Sequence, residues 1–171
     1  NLYRYNGHVK ELSYISLVQP QLEYATAACD PYTSCNIKDI EMVQRRAARY
    51  VKRDYQRTTS VTSLLDSLHW QSLQDRRRNA RLLHFFKALH GYQGLSQLVN
   101  DLPRPTRLTR SSCVDVVAFS QLPCRTDVFK FSFLPRTVID WNSLDTGVRG
   151  LSSLESFRQA LVGGRSAATS Y

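Results

Sequence analysis

Between Ile40 and Val51 the apolar residues fall at 40, 43, 47, 50 and 51. At about 100° per residue these positions fill one side of a helical wheel, while Arg45, Arg46, Arg49, Lys52 and Arg53 fall on the other. A segment written this way has one face to bury and a basic face left over. Asn36 or Asp39 can cap its start, since a short side-chain oxygen accepts one of the orphan N–H groups there. A second segment, from about Leu73 to His90, repeats the scheme, with Leu82, Phe85, Phe86 and Leu89 on one face and Arg76, Arg77, Arg81, His84 and Lys87 on the other. Gly91 is a natural C-terminal stop.

The charge of the chain is concentrated in this region. Residues 38 to 87 hold Lys38, Arg45, Arg46, Arg49, Lys52, Arg53, Arg57, Arg76, Arg77, Arg78, Arg81 and Lys87 against Asp39, Glu41, Asp54, Asp66 and Asp75, which is +7 of the formal +9. A merely solvated surface intersperses both signs. Two arginine-heavy faces close in sequence point instead to a polyanionic partner, because the guanidinium fork matches phosphate geometry. The plainer alternative is that each face is only a solvated helix surface.

The chain has 171 residues, 42% of them apolar, enough for one globular domain or two very small ones. A domain of this length buries roughly 70% of its unfolded surface, so neither a disulfide nor a metal is needed for folding. No run of 18 apolar residues exists, and Asn1-Leu2-Tyr3-Arg4-Tyr5 lacks the layout of a signal peptide, so neither a membrane span nor secretion is expected. The missing Met at position 1 suggests a piece of a longer protein. Cys29 and Cys35, then Cys113 and Cys124, match no zinc knuckle and no small disulfide scaffold, and they read as reduced intracellular thiols. His8, His69, His84 and His90 are scattered, so no metal or other cofactor is expected.

Elsewhere the pattern is coarser. Residues 9 to 28 read as two short helices or one helix kinked at Pro20, followed by turn chemistry at Asp30-Pro31-Tyr32-Thr33. Thr58-Thr59-Ser60 breaks the first basic helix, and Val61 to Leu68 reads as a short helix with Val61, Leu64, Leu65 and Leu68 inward. Trp70 is expected to plug the core between that short helix and the second basic one. Residues 91 to 127 form a long connection containing Gly94, Pro103, Arg104, Pro105, Arg107, Arg110, Ser111 and Ser112. Phe129-Lys130-Phe131-Ser132-Phe133 alternates as a brief strand would. Thr137 to Leu144 continues as a helix, Ser152 with Glu155 makes a capping box before Leu154, Phe157 and Leu161, and the tail from Gly163 is expected to fray. The resulting expectation is a mainly α fold: a small helical bundle with a long irregular connection and a short α-rich C-terminal unit, with little or no sheet. A division at 1–100 and 101–171 follows from the composition.

Catalysis by this chain alone is not expected. Metal-dependent polymerases and nucleases need clustered carboxylates, whereas here Asp39 and Glu41 sit where a helix dipole would account for them. No G-x-S-x-G and no Gly-rich phosphate loop is present.

The run Leu17-Val18-Gln19-Pro20-Gln21-Leu22-Glu23-Tyr24-Ala25, D-P-Y-T at 30 to 33 and I-E-M-V-Q-R-R-A-A-R-Y-V at 40 to 51 resemble the segment after the polymerase palm in LINE-type, jockey-like non-LTR retrotransposon reverse transcriptases. The likeness continues through S-V-T-S-L-L-D-S-L-H-W-Q-S-L at 60 to 73, Arg76-Arg77, F-F-K-A-L-H-G at 85 to 91 and R-P-T-R at 104 to 107. It closes with F-S-F-L-P-R-T-V-I-D-W-N-S-L at 131 to 144 and S-L-E-S-F at 153 to 157. The chain departs from the pattern at Cys29, where Trp is common, and at Asp145, where Pro is common.

The resemblance implies the thumb and the region beyond it, working in the nucleus and cytoplasm as part of an RNA-directed DNA polymerase. The aspartate signature of that family lies upstream, so no catalytic residue carries over. A thumb grips the primer–template duplex through backbone contacts that ignore sequence. Arg45, Arg46, Arg49, Lys52 and Arg53 would then meet one stretch of RNA, DNA or hybrid backbone, and Arg76, Arg77, Arg81 and Lys87 another. The competing readings are a docking module that packs on the parent palm, and an inactive remnant of a mobile element.

Overall fold

The computed structural model describes residues 4–26, 28, 30–92, 96–105 and 118–163. Among them the regular structure is helical and no strand occurs. Cys29, Gly94, Arg107, Arg110, Ser111, Ser112, Cys113 and the tail after Gly163 lie outside the described residues. The chain divides into two compact units, Asn1–Arg77 and Arg78–Tyr171.

The first unit opens with α1 (Gly7–Ser13), capped by the Asn6 side chain, which accepts the Val9 N–H at 3.0 Å. A π-helical segment, Tyr14–Val18, joins it directly to α2 (Gln19–Glu23). Pro20 explains the widening: its ring collides with a regular preceding turn, and the longer Gln19 N–H to Tyr14 carbonyl bond opens that turn. The start of α1 runs so close to the next helix that a Cβ on Gly7 would lie 3.3 Å from the Val51 carbonyl oxygen.

That next helix is α3 (Ser34–Lys52), six residues longer at its start than the apolar pattern from Ile40 indicates. Its buried line is Gln44, Ala48 and Val51, while Val43 is 37% exposed. The apolar count misplaces the inward direction because Gln44 reaches the core with its polarity satisfied, its Nε2 donating to the Gln71 carbonyl at 2.9 Å. The helix ends before Thr58, at Arg53, which adopts left-handed backbone at φ 54°. α4 (Val61–Ser67) follows and buries Leu64.

Trp70, expected as a core plug between α4 and the next helix, packs on the N-terminal segment. It is half-buried, stacks on Tyr14 with ring centroids 4.5 Å apart, and donates from Nε1 to Glu11 at 3.1 Å. Two aromatics thereby lock the irregular N-terminal segment in place. α5 (Leu73–Leu89) begins at Ser72, whose hydroxyl accepts the Asp75 N–H at 3.2 Å. Glu41 lies in the second turn of α3 or beyond, not at its start. Its carboxylate caps α5 instead, accepting the Gln74 N–H at 2.9 Å.

The boundary between the units falls inside α5, after Arg77. In the second unit Leu82, Phe85, Phe86 and Ala88 of α5 share a core with Val99 of α6 (Ser96–Asn100), Leu102, Phe119, and Val138 and Trp141 further on. Gly91, at φ 75°, stops α5 as the sequence indicates. The alternating aromatic run is not a strand: Thr126 caps α7 (Asp127–Lys130), and Ser132 then starts α8 (Phe133–Asn142). Local hydrogen bonding, the Thr126 cap and the Ser132 hydroxyl donating to the Phe129 carbonyl at 2.7 Å, overrides a period of two that spans only five residues. α9 (Thr146–Arg149) and α10 (Leu154–Gly163) complete the unit, with Phe157 of α10 stacked on Phe86 at 4.4 Å. α10 begins one residue later than a cap at Ser152 would place it. Phe119 is pinned by Asn142, whose amide gives to the Phe119 carbonyl at 2.7 Å and accepts its N–H at 3.2 Å.

Candidate nucleic-acid interface

In the first unit the solvent side of α3 carries the basic residues. Lys38, Arg45 and Lys52 recur every seven residues, so they form a line along the helix with steps of about 10 Å. All three are exposed, as is Arg46 on the neighbouring line. Among the described residues no carboxylate pairs with Lys38, Arg45 or Arg46. Such charges keep their full field for a polyanion. Lys52 leans toward the Ser67 carbonyl at 3.5 Å, a contact at the edge of hydrogen-bond range.

Arg49 and Arg53 are committed to the fold. Arg49 donates to three carbonyls, those of Asp54 at 3.4 Å, Gln56 at 2.8 Å and Thr59 at 3.3 Å. One guanidinium thus folds the loop that follows α3 around itself. The Asp54 carboxylate accepts the Gln56 N–H at 3.0 Å. That bond, with the Thr59 hydroxyl and the Arg49 charge, holds the Asp54 carboxyl below its ordinary range. Arg53 donates to the Tyr5 carbonyl at 2.9 Å. Arg57, on the clasped loop, is exposed and has no carboxylate partner among the described residues.

The second basic face differs from its expectation. Arg77 and Arg81 are not on a solvent face; they are 6% and 3% exposed. Arg77 pairs with Asp30 at 3.4 Å and donates to the Leu22 carbonyl. Arg76 grips Glu23 with both ends of its fork, the Nη2–Oε2 bond measuring 3.1 Å. In the second unit Arg81 meets Asp140 at 2.6 Å, and Arg78 meets the other oxygen of the same carboxylate at 3.2 Å. Lys87 is half-buried. The wheel misplaced these arginines because it scores them as polar, whereas each has a specific buried or half-buried carboxylate to neutralise it.

Beside the basic stripe of α3 lies an apolar groove of about 260 Å³, lined by Tyr14, Leu17, Val18, Val43, Ala47 and Tyr50 among others. Among the described residues no group of three or more His, Cys, Asp or Glu side chains is placed to hold a metal ion. Cys35 and Cys124 are free thiols, and no described helix is long and apolar enough to cross a membrane. Comparison of the chain with models of known protein families, with curated proteins and with solved structures returns no match.

Proposed function

We propose that the chain is a non-catalytic C-terminal fragment of a retrotransposon RNA-directed DNA polymerase that holds the backbone of an RNA/DNA template–primer without reading its sequence. The observation that carries this reading is the line of exposed cations along α3, Lys38, Arg45 and Lys52 with Arg46 beside it, together with the family resemblance of the surrounding residues. The parent protein would work in the nucleus and cytoplasm. Arg77 and Arg81 hold the helices in place and leave the phosphates to α3.

Titration of a labelled RNA/DNA hybrid at rising salt tests it. If about five cations each neutralise a phosphate, log affinity falls with log salt at a slope of roughly −4. Replacing Arg45, Arg46 and Lys52 together with Ala is expected to remove between about two and three units of that slope. Binding without a salt slope, or unchanged binding by the triple variant, overturns the reading.

The groove favours a second reading, a docking module for the parent palm. Leu17, Val18 and Val43 line the groove and are exposed, and isolated domains rarely leave large apolar patches in water. Val43→Asp would abolish association with a palm domain supplied in trans under this reading, and would leave hybrid binding unchanged.

A further inference from the structure

One aromatic ring on the loop after α3 is held out in solvent by the structure built around it. Arg49 fixes the carbonyls of Asp54, Gln56 and Thr59, and the Asp54 carboxylate closes a tight turn on the Gln56 N–H. Tyr55 sits inside this clasped segment and is 61% exposed. It makes no ring or hydrogen-bond contact among the described residues. Its phenol ring is thus open to a planar partner from solvent. Lys52 and Arg57 stand exposed before and after it in the sequence, and the carboxylate of the adjoining Asp54 accepts from the Gln56 N–H. The segment around the ring thus carries more cations than acids.

We infer that Tyr55 is a stacking platform for an unpaired base of a single-stranded nucleic acid, with Arg57 and Lys52 taking the flanking phosphates. The inference rests on the nucleic-acid reading above and adds to it a second ligand form. A duplex keeps its base faces stacked on one another and shows mainly backbone and base edges, so an exposed ring finds its best partner in an unpaired base. A peptide is a poorer fit. The carbonyls that could pair with an added strand are occupied by Arg49, and the apolar groove of this unit does not include Tyr55.

Three labelled probes test the assignment with the intact chain: a blunt RNA/DNA hybrid, the same hybrid carrying a single-stranded extension, and oligothymidylate alone. The extension is expected to tighten binding roughly thirtyfold, the middle of the range for one base stacked on an aromatic ring. Tyr55→Ala should abolish that gain while leaving blunt-hybrid affinity and its salt slope as they were, which also shows that the variant folds. Tyr55→Trp should keep the gain, and its fluorescence should fall when oligothymidylate binds. A gain that survives in Tyr55→Ala, or an equal loss on all three probes, overturns the platform. Blunt-hybrid binding without any gain from the extension removes the platform alone; oligothymidylate binding without blunt-hybrid binding removes the duplex reading alone. Polyglutamate bound as tightly as oligothymidylate, with the same loss in Tyr55→Ala, would make the occupant an acidic protein and overturn the assignment.

Discussion

Arg77 and Asp30 form an ion pair at 3.4 Å with side chains only 8% and 9% exposed, and the same guanidinium donates to the Leu22 carbonyl. Both charges have left water, so neither can be removed alone without stranding the other. Arg77→Ala is expected to lower stability by about 3–5 kcal/mol in urea unfolding. Arg77→Met combined with Asp30→Asn should recover most of it. Unfolding at the same urea concentration in Arg77→Ala and the parent would show that the pair does not hold the fold.

Arg49 predicts a local effect of a different kind. Arg49→Ala should cost about 1–3 kcal/mol, since three carbonyls lose a charged donor at a partly exposed site. Amide exchange should accelerate over residues 53 to 60 and stay unchanged in α5. Arg49→Lys is not expected to rescue it, because a single ammonium cannot span three carbonyls.

Asp54 makes the same loop sensitive to acid. The Gln56 N–H is the main cause of its lowered pKa, with the Thr59 hydroxyl and Arg49 assisting. A depressed folded-state value means that the ionised form is the one the loop holds. Its contribution is complete above the unfolded value of about 3.9 and is lost as pH falls through the lower folded value. Exchange protection over 53 to 60 should therefore fall on acidification below about pH 4, and Asp54→Asn should lack that step.

Tyr14 acts at the opposite end of the scale. Burial is the main cause that pushes its phenol up to about 12, with Glu23 and Glu41 adding and Arg76 opposing. The neutral phenol is the folded form, so its contribution is present below the unfolded value of about 10 and is lost as pH rises toward 12. In a titration of phenolate absorbance, one of the nine tyrosines should ionise late and together with unfolding. Tyr14→Phe should remove that step and retain stability at high pH.

The second unit has a shared carboxylate. Asp140 meets Arg81, whose side chain is 4% exposed, and Arg78, which is 38% exposed. Asp140→Ala strands the buried guanidinium and is expected to cost about 3 kcal/mol or more by thermal unfolding, whereas Arg78→Ala should cost less than about 1 kcal/mol. Comparable losses in the two variants would show that Arg81 does not depend on this partner.

The two long helices were legible because their apolar periodicity extends over several turns, and so was the stop at Gly91. The inward direction of α3 was not. A wheel cannot know that Gln44 finds the Gln71 carbonyl, a partner 27 residues away. The same limit hid the fate of Arg77 and Arg81, whose carboxylates are supplied from distant segments. Residues 129 to 133 failed for the opposite reason: their alternation was visible, but the Thr126 cap and the Ser132 bond back to the Phe129 carbonyl decided the backbone. Tyr55 carried no periodic signal at all, and only the Arg49 clasp shows why it stands in solvent.

The wide turn at Tyr14–Val18 fixes how the chain can tolerate a change in its length. A π turn holds one more residue than the α turn it replaces, so everything beyond it is rotated by about 100° from where an unbroken helix would carry it. Glu23, beyond that turn, pairs with Arg76. Deletion of a single codon within 14 to 18 would set the Pro20 ring against a tighter turn and carry the far end to face the wrong way, so the damage would reach α2 as well as the deletion.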